Sequence, residues 1–195
     1  GDRVNVVEIK SDYGGMEHAG NIAIGVGQTK KDTLEAAVHE TAHHWFGDGI
    51  QIAHWGELWM SEGFTNYATF RYFRARDGED AFFGFFDAAK DTLRSQIDGE
   101  KRTAPLAEQR HVDPIDGLTW VPYMHGAWML RMLEVELGTP AMDALLKAWF
   151  RKKKGQSVTT KDFIDFASAR GHDVGAFFAA WQELKKIPAV KDDSK

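Results

Sequence analysis

The chain of 195 residues contains no cysteine, so it can form no disulfide bond and offers no thiolate to a metal ion. A metal ion could therefore be held only by other side chains, such as those of histidine, aspartate and glutamate. Its formal net charge of −5 at pH 7 gives no reason to expect nucleic acid as a partner. The sequence also lacks an apolar run long enough to span a membrane and opens with no signal-peptide pattern. These absences leave its cellular compartment undetermined.

With 43% hydrophobic residues, the chain is long enough for one domain with a sizeable core. It shows no internal repeat, low-complexity segment or clear linker, so we predict a single domain over residues 1–195. Within it we expect a β-rich segment at 1–28, two helices at 32–77 and a helical subdomain at 80–195. The abrupt start, close before a predicted strand, favours a domain excised from a longer protein with flanking domains.

Hydrophobic periodicity and turn residues predict the main elements. The predicted strands are 4–10 and 21–26, and the later helices are 80–97, 123–137, 140–153, 160–169 and 174–185. For the helix in residues 32–48, Asp32 with Glu35 three residues later resembles a capping box. Gly47 and Gly49 supply its C-terminal stop.

Two histidines four residues apart, His39 and His43, are the centre of the candidate site, with Glu40 after the first. On a helix these histidines lie one turn apart on the same face, so both imidazoles can reach one zinc ion. Glu40 lies beside them, where its carboxylate can take a proton from a metal-bound water. Because short motifs also occur by chance, the alternative is an ordinary amphipathic helix whose histidines are satisfied by neighbours.

A catalytic zinc site needs a third protein ligand and keeps one position for water. Glu62 follows His43 after eighteen intervening residues and lies, with Ser61, at the start of a second helical pattern. This spacing resembles the helix–loop–helix arrangement of the gluzincins, in which a glutamate of the second helix completes the site. Glu57, in the tryptophan-rich loop before that helix, is the competing candidate, and we favour Glu62.

Together, these motifs resemble the zinc aminopeptidases of the aminopeptidase N and leukotriene hydrolase type. Residues 43–48 read His-His-Trp-Phe-Gly-Asp and resemble the family's His-Gln-Trp-Phe-Gly-Asp. Residues 58–64 read Leu-Trp-Met-Ser-Glu-Gly-Phe and resemble its Leu-Trp-Leu-Asn-Glu-Gly-Phe. The match runs from about Val4 to about Gly138. It implies an α+β, mostly α fold, namely a thermolysin-like zincin catalytic domain with a small N-terminal β-sheet and a helical subdomain.

The segment Gly14, Gly15, Met16, Glu17, His18 resembles the family's Gly-x-Met-Glu-Asn exopeptidase motif. An extended segment beside the zinc can pair with the substrate backbone, as the edge of a sheet does. The resemblance implies that this segment binds substrate and that Glu17 holds the free α-ammonium group. His18 stands where the family has asparagine. Without the resemblance, Gly-Gly-Met-Glu would be read as a plain hairpin turn.

The segment 121–130 is similar to the family's Tyr-x-Lys-Gly-x-x-x-Leu. The resemblance gives Tyr123 the role of stabilising the oxyanion, which zinc and a phenol O–H can both do. Otherwise, a tyrosine near a helix start is usually a half-buried packing residue. His125 stands where lysine is usual.

Asn66 lies four residues after Glu62 and so shares its helix face. We hypothesise that its amide carbonyl accepts a hydrogen bond from the outer nitrogen of a zinc-bound histidine, fixing the tautomer. A solvent-facing polar residue is the alternative.

The resemblance implies a zinc-dependent metallopeptidase with one Zn²⁺ per chain, which removes N-terminal residues from peptides that have a free N-terminus. One alternative is a non-catalytic or weakly active zinc domain that binds peptides and needs its flanking domains. Another is an epoxide-hydrolase-like branch of the same family, because one fold serves several reactions.

Overall fold

The computed structural model describes residues 3–11, 14–25, 29–99 and 121–182. Its helices are α1 Lys30–Ala42, α2 Leu58–Asp77, α3 Glu79–Gly99, α4 Gly126–Leu137, α5 Thr139–Lys153, α6 Thr160–Ser168 and α7 Gly175–Gln182. Its strands are β1 Asn5–Ile9, β2 Gly15–Met16, β3 Asn21–Gly25, β4 Gln51–Ile52 and β5 Ser157–Val158. A 3-10 turn at Trp55–Glu57 precedes α2, and a π-helical turn at Val121–His125 precedes α4. The predicted α+β, mostly α class is confirmed.

The structure contains the predicted strands and helices, with small shifts at their ends. Strands 4–10 and 21–26 and helices 80–97, 140–153 and 160–169 each agree with an observed element to within two residues. The helix predicted at 123–137 is preceded by the π-helical turn and itself begins only at Gly126. The helix predicted at 174–185 is described from Gly175 to Gln182, and its last three residues lie outside the described part.

The predicted N-cap of α1 is wrong. Thr29, not Asp32, caps the helix, because the Thr29 hydroxyl oxygen accepts a hydrogen bond from the Asp32 backbone N–H at 3.3 Å. The Asp32 carboxylate in turn accepts from the Thr29 hydroxyl at 2.7 Å. The helix also ends at Ala42, earlier than the stop predicted from Gly47 and Gly49.

A three-stranded sheet in the order β1-β3-β2 covers one side of α1. β1 pairs with β3 in parallel, and β2 pairs with β3 antiparallel, with Met16 opposite Ala23. Ile22 and Ile24 of β3 point inward and are almost completely buried, which fixes the face that the sheet turns to the core. The short edge strand β2 is thereby placed beside the C-terminal half of α1.

Helix α2 is the central element of the core. It packs against α1, α3 and α4, and every residue from Leu58 to Tyr67 is buried. Its aromatic side chains meet rings from three other helices, among them Phe86, Phe163 and Phe178. Burying one such ring stabilises the fold by roughly 1.5–3 kcal/mol. Within the described residues, no helix combines the length and apolarity that crossing a bilayer requires.

Helices α2 and α4 touch through their backbones at Gly63 and Gly126. A Cβ atom built on Gly63 would lie 2.7 Å from the Gly126 Cα, and one on Gly126 would lie 2.8 Å from the Gly63 Cα. A larger residue at either position therefore forces the two helices apart. Since Glu62 precedes Gly63 and the turn with Tyr123 precedes Gly126, this contact sets the distance between two candidate site residues.

We expect Gly126→Ala to lower the free energy of unfolding by about 1–3 kcal/mol, because the added methyl group meets backbone that cannot move aside. Gly84→Ala on α3 is the matched control. A Cβ there has open space around it, so the change should stabilise by up to about 1 kcal/mol through helix propensity. Denaturant unfolding of both variants measures the difference. Unchanged stability in Gly126→Ala would show that the crossing tolerates a side chain.

Candidate active site

Helices α1 and α2 bring His39, His43 and Glu62 together as predicted. The Nε2 atoms of the two histidines lie 3.1 Å apart. The Oε2 atom of Glu62 lies 3.3 Å from Nε2 of His39 and 3.2 Å from Nε2 of His43. His43 is 1% exposed and Glu62 is 6% exposed, so the three atoms meet in a nearly closed pocket.

The donor set is suited to a zinc ion. Nδ1 of His43 lies 2.9 Å from the carbonyl oxygen of Phe46, which can only accept, so Nδ1 carries the hydrogen. In the neutral ring, Nε2 then presents its lone pair to the other two groups. Oε2 of Glu62 is buried and is directed at the Nε2 atoms of both histidines. Two imidazole nitrogens and one carboxylate oxygen converging in this way match a catalytic zinc site.

These groups also perturb each other's protonation. Burial raises the pKa of Glu62, but hydrogen bonds and charge from His39 and His43 outweigh it and lower the pKa to about 2. Burial lowers the pKa of His43, but the Glu62 carboxylate more than compensates and raises it to about 9. The Glu62 carboxylate thus favours a positive charge on the neighbouring imidazole, and a metal ion bound here would take the place of that proton.

Glu40 and Glu17 face this pocket from α1 and from the segment after β2. Ligand atoms of Glu17, Glu40 and His43 all lie within 4.8 Å of one another. Gly15 approaches Glu40 so closely that a Cβ there would lie 2.6 Å from its Cγ. Burial raises the pKa of Glu40 to about 8. The charges of Glu17 and Glu62 also raise this pKa, whereas that of His43 lowers it. A carboxyl group with this pKa can take up and release a proton near neutral pH.

Tyr123 closes the pocket on the side of the π-helical turn. Its ring stacks on that of His39, with centroids 6.1 Å apart and an angle of 18° between the planes. Burial raises the pKa of the Tyr123 phenol, and the carboxylate of Glu62 raises it further. The phenol therefore keeps its proton at neutral pH and remains a hydrogen-bond donor.

Nδ1 of His43, the ring nitrogen that faces away from Glu62, has hydrogen-bond partners that the sequence did not predict. Besides the Phe46 carbonyl, Nδ1 lies 3.2 Å from Oγ1 of Thr65 and 3.4 Å from Oγ of Ser61. Ser61 and Thr65 are four residues apart on α2, a spacing that could have indicated one shared face.

Asn66 is not among these partners of His43, and it does not face solvent either. It is 6% exposed, and its Nδ2 donates to Sδ of Met124 at 3.8 Å. The predicted hydrogen bond to a histidine is therefore not seen at His43, because α2 turns Thr65 and not Asn66 toward α1.

Glu57, the competing third ligand, lies outside the pocket and is engaged elsewhere. Its Oε2 accepts a hydrogen bond of 2.5 Å from the hydroxyl of Thr160 at the start of α6. The indole N–H of Trp59 donates to the same hydroxyl oxygen at 2.9 Å. This buried network ties the start of α2 to α6.

The two departures from the family pattern lie in different surroundings. His18 is exposed beside Glu17. His125 is buried against Trp181, with ring centroids 5.7 Å apart, and burial lowers its pKa to about 4. The position where lysine is usual thus holds a neutral ring.

Residues 6–181 match the Peptidase family M1 domain, and the chain belongs to this family. The resemblance to zinc aminopeptidases is thereby confirmed. Leucine aminopeptidase 2 of Eremothecium gossypii is 35% identical over 159 residues, which are 78% of this chain and 26% of that protein. Aminopeptidase B of Homo sapiens is 34% identical over 144 residues, which are 70% of this chain and 22% of that protein. The chain spans about a quarter of the length of these relatives.

Solved structures share the fold. Leukotriene A4 hydrolase from Saccharomyces cerevisiae superposes with a TM-score of 0.82 at 24% identity, over 95% of this chain and 32% of that one. An M1 zinc metallopeptidase from Deinococcus radiodurans gives a TM-score of 0.77 at 23% identity, over 96% of this chain and 40% of that one.

We expect Thr160→Val to lower the free energy of unfolding by about 1–3 kcal/mol, because it leaves the buried Glu57 carboxylate and the Trp59 N–H without their shared partner. Ser157→Ala, an exposed position on β5, is the control and should change stability by less than about 0.5 kcal/mol. Denaturant unfolding compares the two. Equal stability of both variants would mean that water replaces the Thr160 hydroxyl without loss.

Proposed function

We propose that this chain is the catalytic domain of a zinc aminopeptidase, which hydrolyses the first peptide bond of substrates with a free N-terminus. The convergence of His39, His43 and Glu62, with Glu40 alongside, carries the proposal. Membership of peptidase family M1 and relatives named as aminopeptidases support a metallopeptidase. The single domain over residues 1–195 and the flanking domains of a longer parent protein are part of the proposal.

In this proposal His39, His43 and Glu62 hold one zinc ion per chain. When bound, zinc supplies a Lewis acid that polarises the scissile carbonyl and lowers the pKa of water. The two neutral imidazoles and one carboxylate leave the site with a net positive charge once the metal is present, which favours this chemistry.

Glu40 is the general base and acid of the reaction. It takes the proton from the attacking water and returns it to the nitrogen of the leaving amine. Burial raises its pKa and so makes the carboxylate a stronger proton acceptor than a solvated glutamate. Its position next to His43 and Glu17 supports this role, because these two residues are the proposed metal ligand and the proposed anchor of the substrate N-terminus.

The exopeptidase segment gives the site its selectivity for N-termini. β2 is an edge strand, so the backbone of Gly14, Gly15 and Met16 can pair with an extended peptide. The Glu17 carboxylate, close to Glu40, holds the α-ammonium group by charge-assisted hydrogen bonds. A substrate anchored in this way presents its first peptide bond to Glu40.

Tyr123 donates its phenol O–H to the oxygen on which negative charge develops. Its ring stacks on His39, and its hydroxyl lies beside the Glu62 carboxylate, one of the proposed metal ligands. Its raised pKa keeps the proton on the phenol while the carbonyl oxygen becomes anionic. A domain that only binds peptides has no need of either Tyr123 or Glu40 beside the metal ligands, which argues against the non-catalytic alternative.

The proposed function is tested by pairing metal content with activity. Zinc is quantified in the purified chain by mass spectrometry, and a panel of aminoacyl fluorogenic amides is assayed with and without a chelator. We expect one zinc per chain and chelator-sensitive release, with N-acetylated versions of the same amides inert because Glu17 then has no ammonium group to bind. One zinc without turnover favours the peptide-binding alternative, and no zinc after remetallation contradicts the proposed site.

We expect Glu40→Gln to retain its zinc and to lose turnover by about 10²–10⁴-fold, because the amide cannot exchange a proton with water. Glu8→Gln on the exposed strand β1 is the control and should keep wild-type rates. Zinc content and steady-state hydrolysis of the preferred amide are measured on both variants. A Glu40→Gln variant that hydrolyses at nearly the wild-type rate would remove Glu40 from the mechanism.

A further inference from the structure

We propose that Thr65 is a positioning residue whose hydroxyl, together with the carbonyl oxygen of Phe46, holds the His43 ring in its metal-binding orientation. The proposal rests on the proposed function, because it takes Nε2 of His43 as a metal ligand. Its consequence is that metal affinity depends on a hydroxyl group that does not itself touch the metal.

Thr65 and His43 meet in a region that water does not reach. Thr65 is fully buried on α2, and His43 is 1% exposed at the end of α1. Oγ1 of Thr65 lies 3.2 Å from Nδ1 of His43, and the Phe46 carbonyl oxygen lies 2.9 Å from the same nitrogen. The ring therefore has to be oriented by these protein groups.

The direction of the hydrogen bonds decides which ring nitrogen carries the hydrogen. The Thr65 hydroxyl donates its only hydrogen to the Phe46 carbonyl oxygen at 3.1 Å, so it cannot also donate to Nδ1 of His43. Oγ1 of Thr65 then offers only lone pairs to Nδ1, as the carbonyl oxygen does. Nδ1 of His43 must be the donor to both, and Nε2 in the neutral ring keeps its lone pair for a metal.

The turn after α1 is shaped to hold this arrangement. Gly47 has φ +124°, and a Cβ there would lie 2.9 Å from Nδ1 of His43 and 2.8 Å from Oγ of Ser61. Any side chain at this position would thus displace the ring or the serine. The glycine lets the Phe46 carbonyl reach His43, while Ser61, at 3.4 Å from Nδ1, closes the remaining side.

Two substitutions distinguish the effect of the Thr65 hydroxyl group from the effect of the side-chain shape. Thr65→Val keeps the branched shape in the core but removes the hydroxyl, whereas Thr65→Ser keeps the hydroxyl but removes a methyl group. If Thr65 positions His43, the first change disturbs the metal site and the second does not. If Thr65 only fills space, the order is reversed.

The experiment measures the dissociation constant for zinc of the full chain by competition with a chromophoric chelator. We expect Thr65→Val to bind zinc about 10–100-fold more weakly than wild type, as for loss of other outer contacts of metal ligands. Thr65→Ser should stay close to wild type. Thermal unfolding of the metal-free proteins records the cost of each change to the fold itself.

A second pair keeps the test decisive if Thr65→Val does not fold. Thr65→Ala and Thr65→Ser lack the same methyl group and differ only in the hydroxyl. We expect the alanine variant to lose zinc affinity relative to the serine variant. The visible absorption spectrum of the cobalt(II)-substituted protein should change in the alanine variant and stay unchanged in the serine variant. Only the alanine variant lacks the hydroxyl group that holds the His43 imidazole in its orientation.

Wild-type zinc affinity in Thr65→Val would overturn the inference while leaving the proposed function supported. Equal weakening in Thr65→Ser and Thr65→Val would overturn it as well, because packing would then explain both. A wild-type chain that binds no zinc contradicts the proposed function itself, and the positioning role falls with it.

Discussion

The packing of α2 against α1 and α4 is the constraint on which the rest of the structure depends. From Leu58 to Tyr67 this helix has no solvent-facing side, so its polar residues are held where apolar packing puts them. Glu62 is one of them, and a buried carboxylate is stable only with partners that compensate its charge. His39 and His43 provide that compensation from α1. The backbone contact of Gly63 with Gly126 fixes how closely α4 approaches α2. It thereby positions the turn before α4, which carries Tyr123 to the pocket.

This packing gathers an unusual amount of charge in a small volume. Three carboxylates, those of Glu17, Glu40 and Glu62, lie near two histidines, and a divalent cation at the histidines would offset part of their negative charge. Two of these carboxylates, Glu62 and Glu40, differ in environment. Glu62 is paired and has a lowered pKa, while Glu40 is desolvated and has a raised one. Two carboxylates with pKa values moved in opposite directions are typical of a site that combines a charged ligand with a proton carrier.

Local sequence predicts what depends on local spacing. The His39–His43 separation and most helix limits follow from periodicity, which each segment carries in itself. The choice of Glu62 over Glu57 instead rests on its spacing after His43 and on the resemblance to the gluzincins. Asp32 and Thr29 are both good caps, so the choice between them depends on small energy differences that local sequence does not resolve. Whether Thr65 or Asn66 faces His43 depends on the rotation of α2 about its axis, which packing of the whole core decides. The backbone contact of Gly63 with Gly126 joins residues far apart in the chain, so no local pattern reveals it.

We propose that two histidines and one glutamate hold a single zinc ion. Zinc K-edge X-ray absorption of the metal-loaded chain tests this most directly. We expect scattering from two imidazoles and additional oxygen at about 2.0–2.2 Å, with no sulfur in the coordination sphere. The chain contains eight histidines, so the number of imidazoles around the zinc distinguishes this site from one with more or fewer histidine ligands. Three or more imidazoles, or none, would contradict the site formed by His39, His43 and Glu62.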